Sequence, residues 1–191
     1  KIRIDDAFRG SITNGKITAV LNLIGKLEIY NHKGELLLNE YVRNRKDMYG
    51  ETCSSIEVEA RKYKPIIGGD YQITMRFVSN PNEKIYGMGQ YQQPCLDLKG
   101  ADLELAHRNS QASVPFMLSS LGYGFLWNNP AGGRVCFGKN ITTWEAKSAK
   151  KLDYWVTAGD TPAEIEEAYA NATGKVPMMP DYAMGFWQCK L

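Results

Sequence analysis

The sequence predicts an all-β protein built as two packed antiparallel sheets, with a single short helix late in the chain. Three observations predict it. Runs rich in β-branched and aromatic residues recur along the chain, separated by Gly, Asn or Pro signals about every ten residues. Tyr71, Ile73, Met75 and Phe77 alternate with Gln72, Thr74 and Arg76, so one face is apolar while the other can meet water. Strands also outnumber helices so heavily that a second sheet is the simplest cover for the apolar face of the first.

Residues 16–23 and 26–30 are separated by Ile24-Gly25, and Asn31-His32-Lys33-Gly34 leads into a further strand over 35–41, giving a meander. Asn80-Pro81-Asn82 ends the strand over 71–77. Five more strands are expected over 114–119, 123–128, 134–137, 142–146 and 152–157. The helix has complete end signals: Thr161 to cap it, Pro162 in its first turn, Glu164 in a capping-box position and Gly174 to close it. Ile165, Ala168, Tyr169 and Ala172 share one of its faces. Beyond it, Val176-Pro177-Met178-Met179-Pro180 reads as a stiff extended link, and residues 183–189 as an apolar strand. That strand has no successor to complete a sheet, so it reads either as an edge of the same sandwich or as the start of a following domain.

The 191 residues fit one domain of good size, and 43% hydrophobic with 23% charged residues is an ordinary soluble globular composition. A net charge of +2, evenly mixed, argues against a nucleic-acid or anionic-membrane partner. The densest basic cluster, Arg43, Arg45 and Lys46, has Asp47 beside it and reads as a solvated loop. No run approaches the roughly 20 apolar residues that cross a bilayer, and none has a secretory-signal pattern. Lys1 rather than methionine opens the chain, as processing would leave it, so the compartment stays open.

Cys53, Cys95, Cys136 and Cys189 form no CxxC pair and read mostly as free thiols. His32 and His107 have no partner at ligand spacing, so neither a metal nor a cofactor is expected. The serines lack a GxSxG setting, which argues against a serine hydrolase. Gly87-Met88-Gly89 opens like a dinucleotide fingerprint, but the third glycine and the following helix are missing; close backbone packing at a bend explains the pair better. Asp97, Asp102 and Glu104 fall in a polar, turn-rich stretch readable as a long loop, either merely solvated or facing a sugar. Trp127, Trp144, Trp155 and Trp187 read mainly as packing residues.

From residue 85 onward a series of motifs comes in a specific order. Tyr86-Gly87-Met88-Gly89-Gln90 is followed by Leu96-Asp97-Leu98-Lys99-Gly100, Arg108-Asn109 and Val114-Pro115-Phe116. Then come Gly122-Tyr123-Gly124-Phe125-Leu126-Trp127-Asn128-Asn129-Pro130, Leu152-Asp153-Tyr154-Trp155-Val156-Thr157-Ala158-Gly159 and Pro180-Asp181-Tyr182-Ala183-Met184-Gly185-Phe186-Trp187-Gln188. In this order and spacing the chain resembles the family 31 glycoside hydrolases, in their α-xylosidase and α-glucosidase branch. Met88, where many relatives have leucine, is a mild departure.

The resemblance implies a galactose-mutarotase-like β-sandwich, or supersandwich, over residues 1–160, a helix and linker over 161–180, and the first strand of a (β/α)8 barrel from 181 to 191, with the barrel itself beyond the chain. It implies a retaining, exo-acting α-glycosidase whose nucleophilic and acid/base aspartates lie on the barrel, so this chain alone is expected to be inactive. The partners implied are an α-linked oligosaccharide or α-xyloside, and the barrel of the same polypeptide. In the family a sandwich loop reaches over the barrel mouth; the stretch over 90–108 matches that loop. Asp97 stands where a sugar-binding aspartate is expected, with Tyr91, Lys99 and Trp187 as further substrate-binding candidates. The alternative is an independent carbohydrate-binding sandwich.

Overall fold

The computed structural model describes residues 2–4, 10–43 and 57–190; the expected cluster at Arg45, Lys46 and Asp47, and Cys53, lie outside them. In chain order the strands are β1 (Ile2–Ile4), β2 (Gly10–Asn14), β3 (Ile17–Leu21), β4 (Leu27–Asn31), β5 (Leu36–Asn39), β6 (Arg61–Pro65), β7 (Tyr71–Val78), β8 (Ile85–Gln90), β9 (Asp102–Leu105), β10 (Ala112–Ser119), β11 (Tyr123–Leu126), β12 (Gly133–Phe137), β13 (Ile141–Ala149) and β14 (Trp155–Ala158), followed by helix α1 (Pro162–Thr173). Three antiparallel sheets result, ordered β1-β2-β3-β4-β5, β14-β11-β10-β8 and β6-β7-β13-β12-β9. The all-β expectation with one short helix therefore holds.

One core joins the three sheets. Ile73, Met75 and Phe77 of β7 are buried as the alternation requires, and Val135, Phe137, Trp144 and Ala146 join them from β12 and β13. Phe125 stacks on Trp144 at 4.9 Å between ring centroids and meets Phe77 edge-on at 5.5 Å. Each such aromatic pair adds about 1 kcal/mol to the area it buries. Ile29, Leu37 and Leu38 bring the first sheet into the same core.

β11 is buried on both faces, because α1 covers the side turned away from the core. Tyr123 and Phe125 point inward, while Gly124 leaves room for the helix: a Cβ there would lie 2.7 Å from Ile165 Cγ2 and from Phe116 Cζ. Ile165 is buried, and Tyr169 stacks on Phe116 at 4.1 Å. Ala172 is exposed, so packing covers the first two turns of the expected face only. Thr161 caps the helix as expected, its Oγ1 accepting from Glu164 N–H at 3.3 Å, which is worth about 1 kcal/mol. Glu164 reaches one residue further back than a capping box does, accepting from Asp160 N–H at 2.9 Å. Lys16 pairs with both Asp160 and Glu164 at 2.6 Å, tying the first sheet to the helix start. Its ammonium, with that of Lys33, draws the Asp160 carboxyl down to about 2.

Two expectations need correction. The stretch over 90–108 is not one long loop, since it contains β9. Leu103 and Leu105 face the core, while Asp102 and Glu104 face out, and the exposed carboxylates mask a short alternating strand. Asp102 pairs across the sheet with Arg134, which holds its carboxyl below the usual range. The apolar run from Ala183 is not a strand here: Asp181–Met184 is a 3-10 turn and residues 185–190 pair with no strand among the described residues. Strand geometry needs a partner for its N–H and C=O groups, and none lies beside this run among the described residues. Its apolar side chains stand exposed, including Phe186 and Trp187.

Candidate functional site

β8 carries an unusual backbone. Gly87, Met88 and Gly89 have consecutive positive φ values of 95°, 69° and 92°. The reason lies in its pairing with β10, where Ser113 opposes Gly89 and Met117 opposes Gly87. Three residues of β10 therefore face one of β8, a bulge larger than the usual two against one, and it bends the strand. Glycine is required on both sides, because a Cβ at Gly87 would lie 2.8 Å from Phe116 O and one at Gly89 would strike Ala112 O. Met88 accepts the left-handed conformation in exchange for full burial of its side chain. The glycine pair is close backbone packing, as expected, and it redirects the chain into the β8–β9 loop.

That loop is anchored at its base and open at its tip. Leu98 is buried, and its N–H donates to Ile85 O at 2.7 Å; Gly100 N–H donates to Phe137 O at 2.7 Å. Asp97 Oδ1 accepts from Ile85 N–H and from Lys99 N–H, both at 3.0 Å. These backbone donors, Ile85 first, lower the Asp97 carboxyl below its usual range, so it is ionised at neutral pH. Residues 92–96 are exposed, with Leu96 at 82%.

The four candidates do not gather at one point. Asp97 and Lys99 share a turn beside the start of β8, and the Lys99 ammonium points inward, toward Ser79 and Glu83. Tyr91 follows the other end of β8; its hydroxyl donates to Glu104 O at 3.0 Å and meets Ser113 Oγ at 2.8 Å. Trp187 lies on the C-terminal tail, its indole N–H donating to Ala183 O at 2.7 Å.

Beside Tyr91 the β9–β10 connection borders a cleft of about 420 Å³ lined by His107, Ser113, Pro115, Asn129 and Pro130 among others. His107 Nδ1 accepts from Ser113 N–H at 3.3 Å, so this histidine organises the loop. The sequence reading missed this cleft, because its residues come from β10, the β11–β12 turn and the loop after β9. It also missed Glu83, which follows the Asn80-Pro81-Asn82 turn and has the sequence context of a solvated charge, yet is buried. No cluster able to hold a metal ion occurs among the described residues, and Cys95, Cys136 and Cys189 are free thiols. No helix among them is long and apolar enough to cross a membrane.

Residues 11–135 match the family model of the glycosyl hydrolase 31 N-terminal galactose mutarotase-like domain. The chain belongs to this family. A family 31 glucosidase of Pseudescherichia vulneris is 52% identical over 97% of this chain and 37% of its own length. An α-xylosidase of Saccharolobus solfataricus is 33% identical over 63% of this chain and 18% of its own. Among solved structures, a family 31 α-xylosidase from a soil metagenome, complexed with xylose, superposes with a TM-score of 0.91 at 55% identity, covering 99% of this chain and 29% of that one. This glycosyl hydrolase 31 N-terminal domain is thus a galactose-mutarotase-like sandwich, and it spans between 18% and 37% of the length of these relatives.

Proposed function

We propose that this chain is the noncatalytic N-terminal domain of a retaining, exo-acting α-glycosidase that releases xylose or glucose from α-linked substrates. On this reading it supports a following (β/α)8 barrel, which begins near residue 181 after the helix and linker over 161–180, and it lends the barrel its β8–β9 loop as part of the sugar site. The observation that carries the reading is the 55% identity, along nearly the whole chain, to an α-xylosidase complexed with xylose.

Hydrolysis with retention needs two carboxyl groups at a controlled separation, one as nucleophile and one as acid/base. Both are assigned to the barrel, and the work of this chain is to orient the sugar. Asp97 suits that work, because its charge is fixed by backbone donors on one oxygen and an ionised carboxylate makes strong hydrogen bonds to hydroxyl groups. Tyr91 and Trp187 are secondary contacts: a phenol at the loop root and an exposed indole on the tail, able to stack on a sugar ring.

The full-length protein is expected to cleave an aryl α-xyloside or an aryl α-glucoside, while this chain alone cleaves neither. Failure on both substrates with a folded protein would sink the glycosidase assignment, and saturable polysaccharide binding by the isolated chain would favour an independent binding module. Asp97→Asn keeps an oxygen to accept from Ile85 and Lys99 but removes the charge. In the full-length protein it should raise KM about 10-fold, the loss of one hydrogen bond to a charged group. An unchanged KM would take Asp97 out of the site.

A further inference from the structure

We propose that Lys99 is a positioning residue, which holds the turn bearing Asp97 in place by plugging its ammonium into a buried carboxylate, Glu83. The inference rests on the proposed role of the β8–β9 loop and gives Lys99 a task other than touching sugar. Lys99 Nζ donates to Ser79 Oγ at 2.5 Å and lies 3.4 Å from Glu83 Oε2. Its side chain is only 13% exposed and that of Glu83 is 5% exposed, so solvent screens the pair weakly.

Glu83 gathers donors from several elements. Its Oε1 accepts from Ser119 Oγ on β10 at 2.6 Å and from the Tyr123 hydroxyl on β11 at 2.5 Å. Burial, and then the Glu83 charge, push the Tyr123 phenol well above its usual range, so it stays protonated and donates. The turn before β8, the loop after it and two neighbouring strands therefore meet at one carboxylate. Ser119 and Tyr123 supply neutral donors, and Lys99 is the one cation bonded to Glu83 among the described residues.

Lys99 is held at both ends. Its backbone N–H donates to Asp97 Oδ1, the same oxygen that takes Ile85 N–H, while its ammonium is fixed by Ser79 and Glu83. The turn from Asp97 to Lys99 cannot shift without breaking one of these bonds. A misplacement of about 1 Å at a binding group is enough to weaken a site strongly, and an ammonium committed inward is not free for a hydroxyl of the substrate.

The test uses the full-length protein with Lys99→Met, Lys99→Arg and Ser79→Ala, read by steady-state kinetics on the aryl α-glycoside it cleaves and by amide exchange at Ile85, Leu98 and Lys99. Lys99→Met is expected to raise KM about 10-fold with kcat within about 2-fold, as loss of one charged hydrogen bond would, and to speed exchange at the three amides. Lys99→Arg should restore both, because it keeps a cation for Glu83. Ser79→Ala, which leaves the charge pair intact, should move both in the same direction by less, and it serves if Lys99→Met fails to fold. A rise in KM without faster exchange would mean that Lys99 touches substrate itself, which overturns the proposal. Faster exchange with unchanged kinetics overturns it equally, since the loop would then lie outside the site. If the unmodified protein cleaves neither glycoside, the glycosidase reading fails, and the exchange data still decide whether Lys99 holds the turn.

Discussion

Gly89→Ala is expected to destabilise this chain by at least about 3 kcal/mol, through two faults that act together. Gly89 has φ 92°, a conformation that a side chain strains, and its added Cβ would strike Ala112 O and lie 2.7 Å from Val114 N. Both obstacles are backbone of the paired strand, so no rotamer change relieves them, and β10 has to move away. Gly100→Ala separates the two faults, because Gly100 has a similar φ of 89° but nothing within 4 Å of the new Cβ. It should cost only about 1 kcal/mol. Thermal melts compare the two directly, at roughly 2–4 °C per kcal/mol for a domain of this size. If both variants melt together, β8 and β10 do not approach as closely as the bulge requires. Because Gly89 lies just before Tyr91 and the β8–β9 loop, this substitution should also disorder the loop, which Gly100→Ala should do less.

Which parts of this fold were legible in the sequence follows from what each element buries. β7 and β13 alternate because one face packs on the core, and both were found, β13 extending to Ala149. The helix was found through its caps, which are local chemistry. β6 was missed because all five residues of Arg61–Pro65 are exposed at a sheet edge, so no alternation is written into them. β9 was missed because it is short and its outward positions are acidic. At the candidate site, motif order along the chain put forward the loop and Asp97 as candidates, whereas the bonds that fix them were invisible. Ser79, Glu83, Ser119 and Tyr123 are spread over 45 positions, and only the strand pairing of β8, β10 and β11 brings them together. Lys99 shows the same limit: a lysine in a polar loop reads as exposed, and its inward path depends on a buried acid that local context disguises.

A second buried acid makes the other large prediction. Glu40 follows β5 and is 1% exposed, and it forms a bidentate pair with Arg61 at the start of β6, Nε to Oε1 at 2.6 Å and Nη2 to Oε2 at 2.8 Å. Leu27 N–H adds a bond to Oε2 at 2.9 Å, and Arg61 Nη2 also reaches Gly25 O at 3.0 Å. The Glu40 carboxylate raises the Arg61 guanidinium further above its ordinary range. Together these bonds staple the first sheet to the edge of the third, away from the candidate loop. The Arg61 side chain is 39% exposed, so solvent screens part of the attraction; Arg61→Met, which leaves a buried carboxylate with one backbone donor, should cost about 2–3 kcal/mol. Replacing both partners, Arg61→Met with Glu40→Met, removes the stranded charge along with the attraction and should recover a large part of that loss, since an apolar pair of similar volume is often no worse than an ion pair with one buried member. Denaturant unfolding of the two single variants and the double gives the coupling directly. A cost below about 1 kcal/mol for Arg61→Met would mean that water reaches Glu40 and that apolar packing and the backbone bridge between Glu40 and Phe77 join the two sheets without the ion pair. Recovery in the double variant would instead identify the pair as a device that fixes how the sheets meet, at little net gain in stability.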